Sequence, residues 1–444
     1  MAGRLLRRRA AAAAGSYVAI ALGFAGTVVA ARLFTTQTLG LYTLVIASTG
    51  FFQTLLDLTI EEALIKYGFR YVAREDWGRL RRLFRQTFVF KLAGAVLAGL
   101  ALLALAAAAK PVFGHAELRL PLAIGAAIPL LQAPEGMAAV PLMLHGRYDI
   151  RGVFLTVSMA LRLTAIALGA SHGLAWTIGA MAAAQAVASL AISLAGWRAF
   201  GRFPASAMRP LGEDRREIIR FVVQSSGATG AVSLRTTLTP IVLGVASTTT
   251  QVAYFKVAQA PQQGFNAVSA PIRLVMLTEQ TRDWEHGNRA RVFAGVRRYA
   301  LLATLGSVVL LPPLLVFMPD LVRLLFESKN LGAVTAARIV VVAGAVQFVV
   351  GWSKSFAVTV GRPQWRIWSH GIETVVLLPL AVLLGWKWGA AGAAVAVLVS
   401  SVAFAIVWFV LFLRIRREPV GAPPVAVPLE EAVAASALEL EVEL

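Results

Sequence analysis

Apolar stretches of about 20 residues recur along this chain, separated by short turns rich in arginine. That is the length a helix needs to cross the hydrocarbon core of a bilayer. The pattern predicts twelve such helices, over residues 11–34, 38–63, 87–109, 119–143, 152–171, 173–197, 218–244, 250–277, 299–319, 333–359, 367–386 and 388–413. The first follows Arg7-Arg8-Arg9, but its apolar run is too long for a signal-peptide h-region and reads as a retained helix. From Glu418 the chain turns Pro/Ala-rich and then glutamate-rich, the composition of a disordered cytoplasmic tail.

Composition narrows the class. Of 444 residues, 58% are hydrophobic and 15% charged, with a mean hydropathy of +0.71. Soluble domains carry about 25% charged residues, so lipid must solvate most of this surface. Cysteine is absent, and the five histidines, His115, His145, His172, His286 and His370, are scattered without ligand spacing. A metal enzyme or a thiol nucleophile is therefore not expected. The net charge of +19 would suggest nucleic acid in a soluble domain, but here the arginines lie in membrane-proximal loops.

Their distribution sets an orientation. With the N-terminus in the cytoplasm, 28 of the 42 Lys and Arg fall in inner loops and termini and seven in outer connections. This is the asymmetry of the positive-inside rule. The remaining seven are intramembrane: Lys66, Lys91, Arg162, Arg235, Lys256, Arg273 and Lys354. Lys66, Lys91 and Arg273 sit near inner ends, where they are expected to snorkel into headgroups.

The chain also resembles itself at a shift of about 212 residues. Thr35-Thr36-Gln37-Thr38-Leu39-Gly40-Leu41-Tyr42 parallels Thr248-Thr249-Thr250-Gln251-Val252-Ala253-Tyr254. Asp76, Arg79 and Arg85 parallel Asn288, Arg291 and Arg297, and Gly173 and Trp176 parallel Gly385 and Trp388. The turns Gly146-Arg147 and Gly361-Arg362 follow spans 4 and 10. Two six-span halves in parallel orientation are a transporter architecture. The expected fold is all-α and integral to the membrane, about twelve helices in two pseudo-symmetric lobes around a central cavity. The expected divisions are an N-lobe over 1–200, a cytoplasmic linker over 201–217, a C-lobe over 218–413 and a tail over 414–444.

Ionisable groups at bilayer depth face a bundle interior or a wet cavity. The deeper cations are Arg162, Arg235, Lys256 and Lys354; Asp57, Glu61, Glu135 and Glu373 oppose them. Span 2 places Gln53, Asp57 and Glu61 on one face, and Glu62 can pair with Lys66. Span 8 carries a polar stripe of Lys256, Gln259, Gln263 and Asn266, with Pro261 able to kink it, and span 7 carries Gln224, Thr229, Arg235 and Thr236. Such stripes also serve as interhelical glue. Cations in excess of carboxylates suit phosphate oxygens, and amides and hydroxyls suit sugars, so a phosphorylated, sugar-bearing substrate fits both. The four deep cations with Gln259, Gln263, Asn266 and Gln224 form the expected substrate site. Asp57, Glu61, Glu135 and Glu373 are the candidates for carrying coupling protons.

One segment carries a family resemblance. Leu55-Leu56-Asp57-Leu58-Thr59-Ile60-Glu61-Glu62-Ala63-Leu64-Ile65-Lys66-Tyr67 resembles the D-L-G-L-x-x-A-L-x-R-Y stretch of polysaccharide-biosynthesis flippases. These are the Wzx-like branch of the multidrug/oligosaccharidyl-lipid/polysaccharide (MOP) exporter superfamily. Leu39-Gly40-Leu41-Tyr42 is similar to that family's F-G-x-Y, and Trp388-Gly389-Ala390-Ala391-Gly392-Ala393-Ala394 to its G-x-x-G-A-A. Thr59 departs from the usual Gly, and Glu61-Glu62 add charge where small residues are common. The resemblance implies a flippase of the bacterial inner membrane with both termini cytoplasmic. It would move an undecaprenyl-diphosphate-linked oligosaccharide outward by alternating access, beside membrane lipids and polysaccharide assembly machinery. No cofactor is implied beyond a proton or Na+ gradient.

Two relatives of that reading are a multidrug antiporter, against which the lack of Asp or Glu in span 1 speaks, and a peptidoglycan-precursor flippase. A membrane glycosyltransferase or polymerase would need a large loop or an acidic interfacial motif. Glu75-Asp76, Glu213-Asp214 and Asp283 are flanked by arginines and read as solvated loop charges.

Overall fold

The computed structural model describes the backbone of residues 2–56, 60–362 and 364–418. Side chains are described for these residues outside 2–13, 56, 224–225, 227–229, 231–235, 266–275, 277–278, 285 and 358. No strand occurs among the described residues. The chain divides into two compact units, residues 1–34 with 44–230, and residues 35–43 with 231–444.

The first unit is built from α1 (Ala2–Leu33), most of α2 (Thr36–Leu56), α3 (Ile60–Ala73), α4 (Trp77–Ala107), α5 (Ala109–Phe113), α6 (Arg119–Gly125), α7 (Ala127–Leu144), α8 (Tyr148–Gly169), α9 (Leu174–Phe200) and the start of α10 (Asp214–Ala246). Small residues let its helices approach. A methyl group at Gly15 would meet the backbone of Gly152, and one at Gly169 the backbone of Thr177. Close approach through glycine is how membrane helices gain van der Waals contact where lipid supplies no hydrophobic drive. Large apolar side chains point outward instead: Phe90 is 62% exposed and Leu190 63%. In water such exposure would be costly, and in lipid it is the ordinary outer face.

The second unit holds the first turns of α2, the rest of α10, α11 (Thr249–Glu285), α12 (Arg289–Val316), α13 (Met318–Phe326), α14 (Val334–Val349), α15 (Ser353–Thr359) and α16 (Gln364–Arg417). The N-terminus of α2 belongs here for a local reason: a Cβ on Gly40 would overlap the carbonyl of Thr249. Thr36 also donates to the Lys329 carbonyl at 3.4 Å. Its core gathers Trp284, Tyr299, Trp352, Phe356, Phe404 and Trp408.

Nine helical stretches among the described residues are long and apolar enough to cross a membrane. Several expected spans are subdivided. Residues 119–143 form α6 and α7, meeting at Ala126, and residues 333–359 form α14 and α15. Spans 11 and 12 are assigned as one stretch, α16, but the backbone breaks at Gly389 with φ 58° and ψ −133°. Only glycine adopts that conformation readily, and a side chain there would also strike Gln251. Expected span 8 lies within α11, whose lysine and glutamines lower its hydropathy. Asp57, Leu58 and Thr59 lie outside the described residues, so the Gln53–Asp57–Glu61 face is not described as a whole.

Two boundaries differ from expectation. The linker over 201–217 is a strap packed onto the first unit. Phe203 is buried between Trp77 and His145, at ring distances of 5.5 and 4.4 Å. Arg209 N–H donates to the Gly78 carbonyl at 3.2 Å, and Leu211 is buried. At the other end, α16 continues through Arg414, Arg416 and Arg417, inside the expected tail division of 414–444. Glu418 is then held by Arg362 at 2.7 and 2.9 Å, and residues 419–444 lie outside the described residues.

Candidate functional site

The first unit holds two half-buried carboxylates. Glu61, on the first turn of α3, pairs with Lys91 of α4, and its carboxylate lies over Gly136 of α7, where any side chain would overlap it. Lys91 therefore does not snorkel. It is 4% exposed and lies 14 residues into α4, about 21 Å from that helix's start, with an acid nearer than any headgroup. Glu135, one residue before Gly136, accepts from Gln185 Nε2 at 2.5 Å and from Ser189 Oγ at 3.4 Å. Gln185 and Ser189 are one turn apart on α9 and also bond each other at 2.9 Å.

Arg162 is half-buried on α8 and has no ion-pair or hydrogen-bond partner among the described residues. A membrane-embedded guanidinium without an acid is the arrangement that favours an anionic ligand. Lys66, by contrast, sits over the Phe221 ring at 4.7 Å.

In the second unit Lys256, Gln259 and Gln263 lie half-buried on α11, and Lys354 half-buried on α15; both lysines are engaged. Glu373 of α16 is 1% exposed and takes a hydrogen bond of 3.1 Å with His370 Nδ1. The His370 ring stacks on Phe404 at 4.9 Å. A neutral relay joins three helices of the same unit: Gln262 Nε2 donates to Gln347 Oε1 at 2.9 Å, and Gln347 Nε2 donates to Ser401 Oγ at 2.8 Å. Arg235, Gln224, Asn266, Thr229 and Arg273 fall among residues whose side chains are not described, and Asp57 lies outside the described residues altogether.

Several of these partners were not singled out from sequence. Gln185 with Ser189 and His370 with Glu373 have i,i+4 and i,i+3 spacing on apolar helices, a signal that periodicity alone could have raised. Gln262, Gln347 and Ser401 come from three separate helices, and no spacing connects them. No cluster of three or more metal-ligating side chains occurs among the described residues.

Outside the spans, the strap end is strongly charged. Arg70 grips Glu217 at 3.0 and 3.1 Å, and Tyr71 O–H donates to Asp214 at 3.0 Å. The hydrogen bond from Arg70 holds Glu217 below the usual carboxylate range, and the same contact raises Arg70. Burial, then the Asp214 contact, pushes the Tyr71 phenol up. In the second unit the Arg362 fork holds Glu418 below its ordinary value.

Solved structures with this fold include transporters. The chain superposes on an inward-facing multidrug resistance MATE family transporter of the MOP superfamily with a TM-score of 0.72 at 15% identity, covering 89% of this chain and 93% of that one. It is similar to the lipid II flippase MurJ in an inward closed conformation, with a TM-score of 0.70 at 11% identity and coverage of 97% and 91%. A MOP superfamily transporter from Pyrococcus furiosus, described by the reverse polarity of its binding pocket, matches with a TM-score of 0.57 at 15% identity over 92% and 95%. No curated protein sequence matches the chain. A family profile described as polysaccharide biosynthesis protein matches residues 6–275, more than half of the sequence. The chain is thus a multi-pass membrane protein with a MOP-superfamily transporter fold, and it belongs to the polysaccharide biosynthesis protein family.

Proposed function

We propose that this protein is a flippase for an anionic lipid-linked oligosaccharide. It carries an undecaprenyl-diphosphate-linked glycan from the cytoplasmic to the outer leaflet of the bacterial inner membrane by alternating access, for cell-surface polysaccharide synthesis. The observation that carries the reading is the family match over residues 6–275. Arg162, with no acid beside it among the described residues, supports the sign of the cargo. Diphosphate oxygens would meet Arg162, Arg235, Lys256 and Lys354, and Gln259, Gln263, Asn266 and Gln224 would meet sugar hydroxyls. A proton or Na+ gradient drives exchange, with Glu135 and Glu373 as the carboxylates best placed to carry protons. Asp57 and the Lys91-paired Glu61 complete that set. The 28-to-7 split of basic residues supports cytoplasmic termini, which reporter fusions at each loop would check.

Loss of the gene should remove surface glycan and leave lipid-linked precursor on the cytoplasmic side. Arg162→Gln should do the same at unchanged protein level, and normal glycan in that variant would remove Arg162 from the site. A second reading, multidrug antiport, is favoured by the fold likeness to the MATE transporter. Drug sensitivity on deletion with intact glycan would establish it instead. Radiolabelled sugar incorporation by the purified protein would overturn both transport readings.

A further inference from the structure

One edge of the first unit has phosphate-binding chemistry that transport of a central cargo does not use. Arg81 lies in the second turn of α4. Among the described residues its Nη2 reaches only carbonyls of the strap, Pro204 at 3.3 Å and Phe203 at 3.5 Å, and its guanidinium stands 5.5 Å from the Phe200 ring. Its Nε is shielded from solvent and has no hydrogen-bond partner among the described residues. Neither Arg81 nor Arg85, one turn on, has an acidic partner among the described residues; Arg85 touches only the Met208 sulfur, at 3.9 Å. A partly buried guanidinium with an orphan N–H calls for an anion.

The same helix face supplies the rest of a lipid site. Residues 81, 85, 88 and 92 fall at i, i+4, i+7 and i+11, one stripe of α4. Below the two arginines that stripe is apolar and outward: Phe88 is 47% exposed and Leu92 43%. Beside the stripe, Phe84 of α4 meets Phe200 at the end of α9, with ring centroids 4.7 Å apart. The 31 residues of α4 span about 46 Å, against about 40–45 Å for a bilayer with its headgroups. Arg81, about 6 Å along the helix, therefore lies at headgroup depth, and Arg85, about 12 Å along, at the boundary with the acyl chains. Phe88 lies about 4–5 Å deeper than Arg85.

We propose that this edge binds one anionic phospholipid of the surrounding bilayer. The Arg81 and Arg85 guanidinium groups hold its phosphate under the strap, and an acyl chain lies along Phe88 and Leu92. The occupant is a lipid rather than free phosphate because the charged and apolar halves form one continuous stripe. It is independent of the cargo proposed above.

The test uses the purified full-length protein in nanodiscs of phosphatidylcholine with phosphatidylglycerol added, with native mass spectrometry counting retained lipids. One phosphatidylglycerol should be retained in preference to phosphatidylcholine, and Arg81→Gln/Arg85→Gln should weaken that retention about tenfold. Arg323→Gln, at an exposed arginine of α13, should leave it unchanged. Thermal unfolding separates binding from folding: in phosphatidylcholine alone the double variant should melt with the wild type, and only the increment from phosphatidylglycerol should vanish. Equal lipid retention in the double variant would overturn the proposal, as would the same increment from inorganic phosphate. A double variant that melts early in neutral lipid while keeping the increment would also overturn it.

Discussion

Two polar centres, one in each unit, solve the same burial problem with different chemistry. The first places a full ion pair, Glu61 with Lys91, beneath a glycine on α7. The second joins α11, α14 and α16 by a neutral chain of two amides and a hydroxyl, Gln262–Gln347–Ser401. A buried pair is costly to form and far costlier to half-remove, since the survivor is left as an uncompensated charge. An amide chain loses one bond at a time, each worth about 1 kcal/mol net. The Lys91–Glu61 pair is thus brittle to single substitutions, and the amide chain degrades gradually.

The largest effect should come from Lys91→Ala. It removes the ion-pair partner of the half-buried Glu61 and should cost about 3 kcal/mol, read by thermal unfolding in detergent. Lys91→Met/Glu61→Gln removes both charges and should recover most of that loss. If the double variant is as unstable as the single one, the contrast between the units rests on shape rather than charge.

Gly389→Ala comes next, at about 1–2 kcal/mol, because an L-residue is strained at φ 58° and its Cβ would press on Gln251. Gln347→Leu should cost about 1–2 kcal/mol by orphaning Gln262 and Ser401, well under the effect of Lys91→Ala. A loss equal to that of Lys91→Ala would erase the comparison.

How much of this was legible beforehand follows from the range of each interaction. The spans emerged from local hydropathy, while the backbone break at Gly389 falls inside expected span 12, just past the expected junction at Lys387. The pairing of Lys91 was not legible. A lysine near an expected inner end looks like a snorkelling lysine until the fold brings α3 beside α4, and only then does Glu61 become the nearer partner. The packing of the expected linker over 201–217 is not legible for the same reason: the aromatic clasp depends on Trp77 and His145, far away in the chain. Arg162 was picked out by charge and depth alone, and its lack of a partner among the described residues required coordinates.

The smallest predicted effect tests the strap's charged end. Glu217 is half-exposed, so its pair with Arg70 should contribute less than about 1 kcal/mol. Because its pKa is lowered in the folded state, that contribution is complete above the normal carboxylate range and fades as pH falls below it. Glu217→Gln should flatten the acid limb of the stability profile slightly and leave neutral stability within about 0.5 kcal/mol. A larger loss at neutral pH would show that the carboxylate holds the strap in place.

The clasp around Phe203 has a practical consequence for anyone who wishes to produce the halves of this molecule separately. Cutting at the compositional boundary near residue 200 would leave Trp77 and His145 facing solvent and free Asp214 and Glu217 from Tyr71 and Arg70. The leading fragment should be soluble in detergent and well behaved only when its C-terminus extends past Glu217, and size-exclusion profiles of fragments ending at 200 and at 220 would tell the two apart.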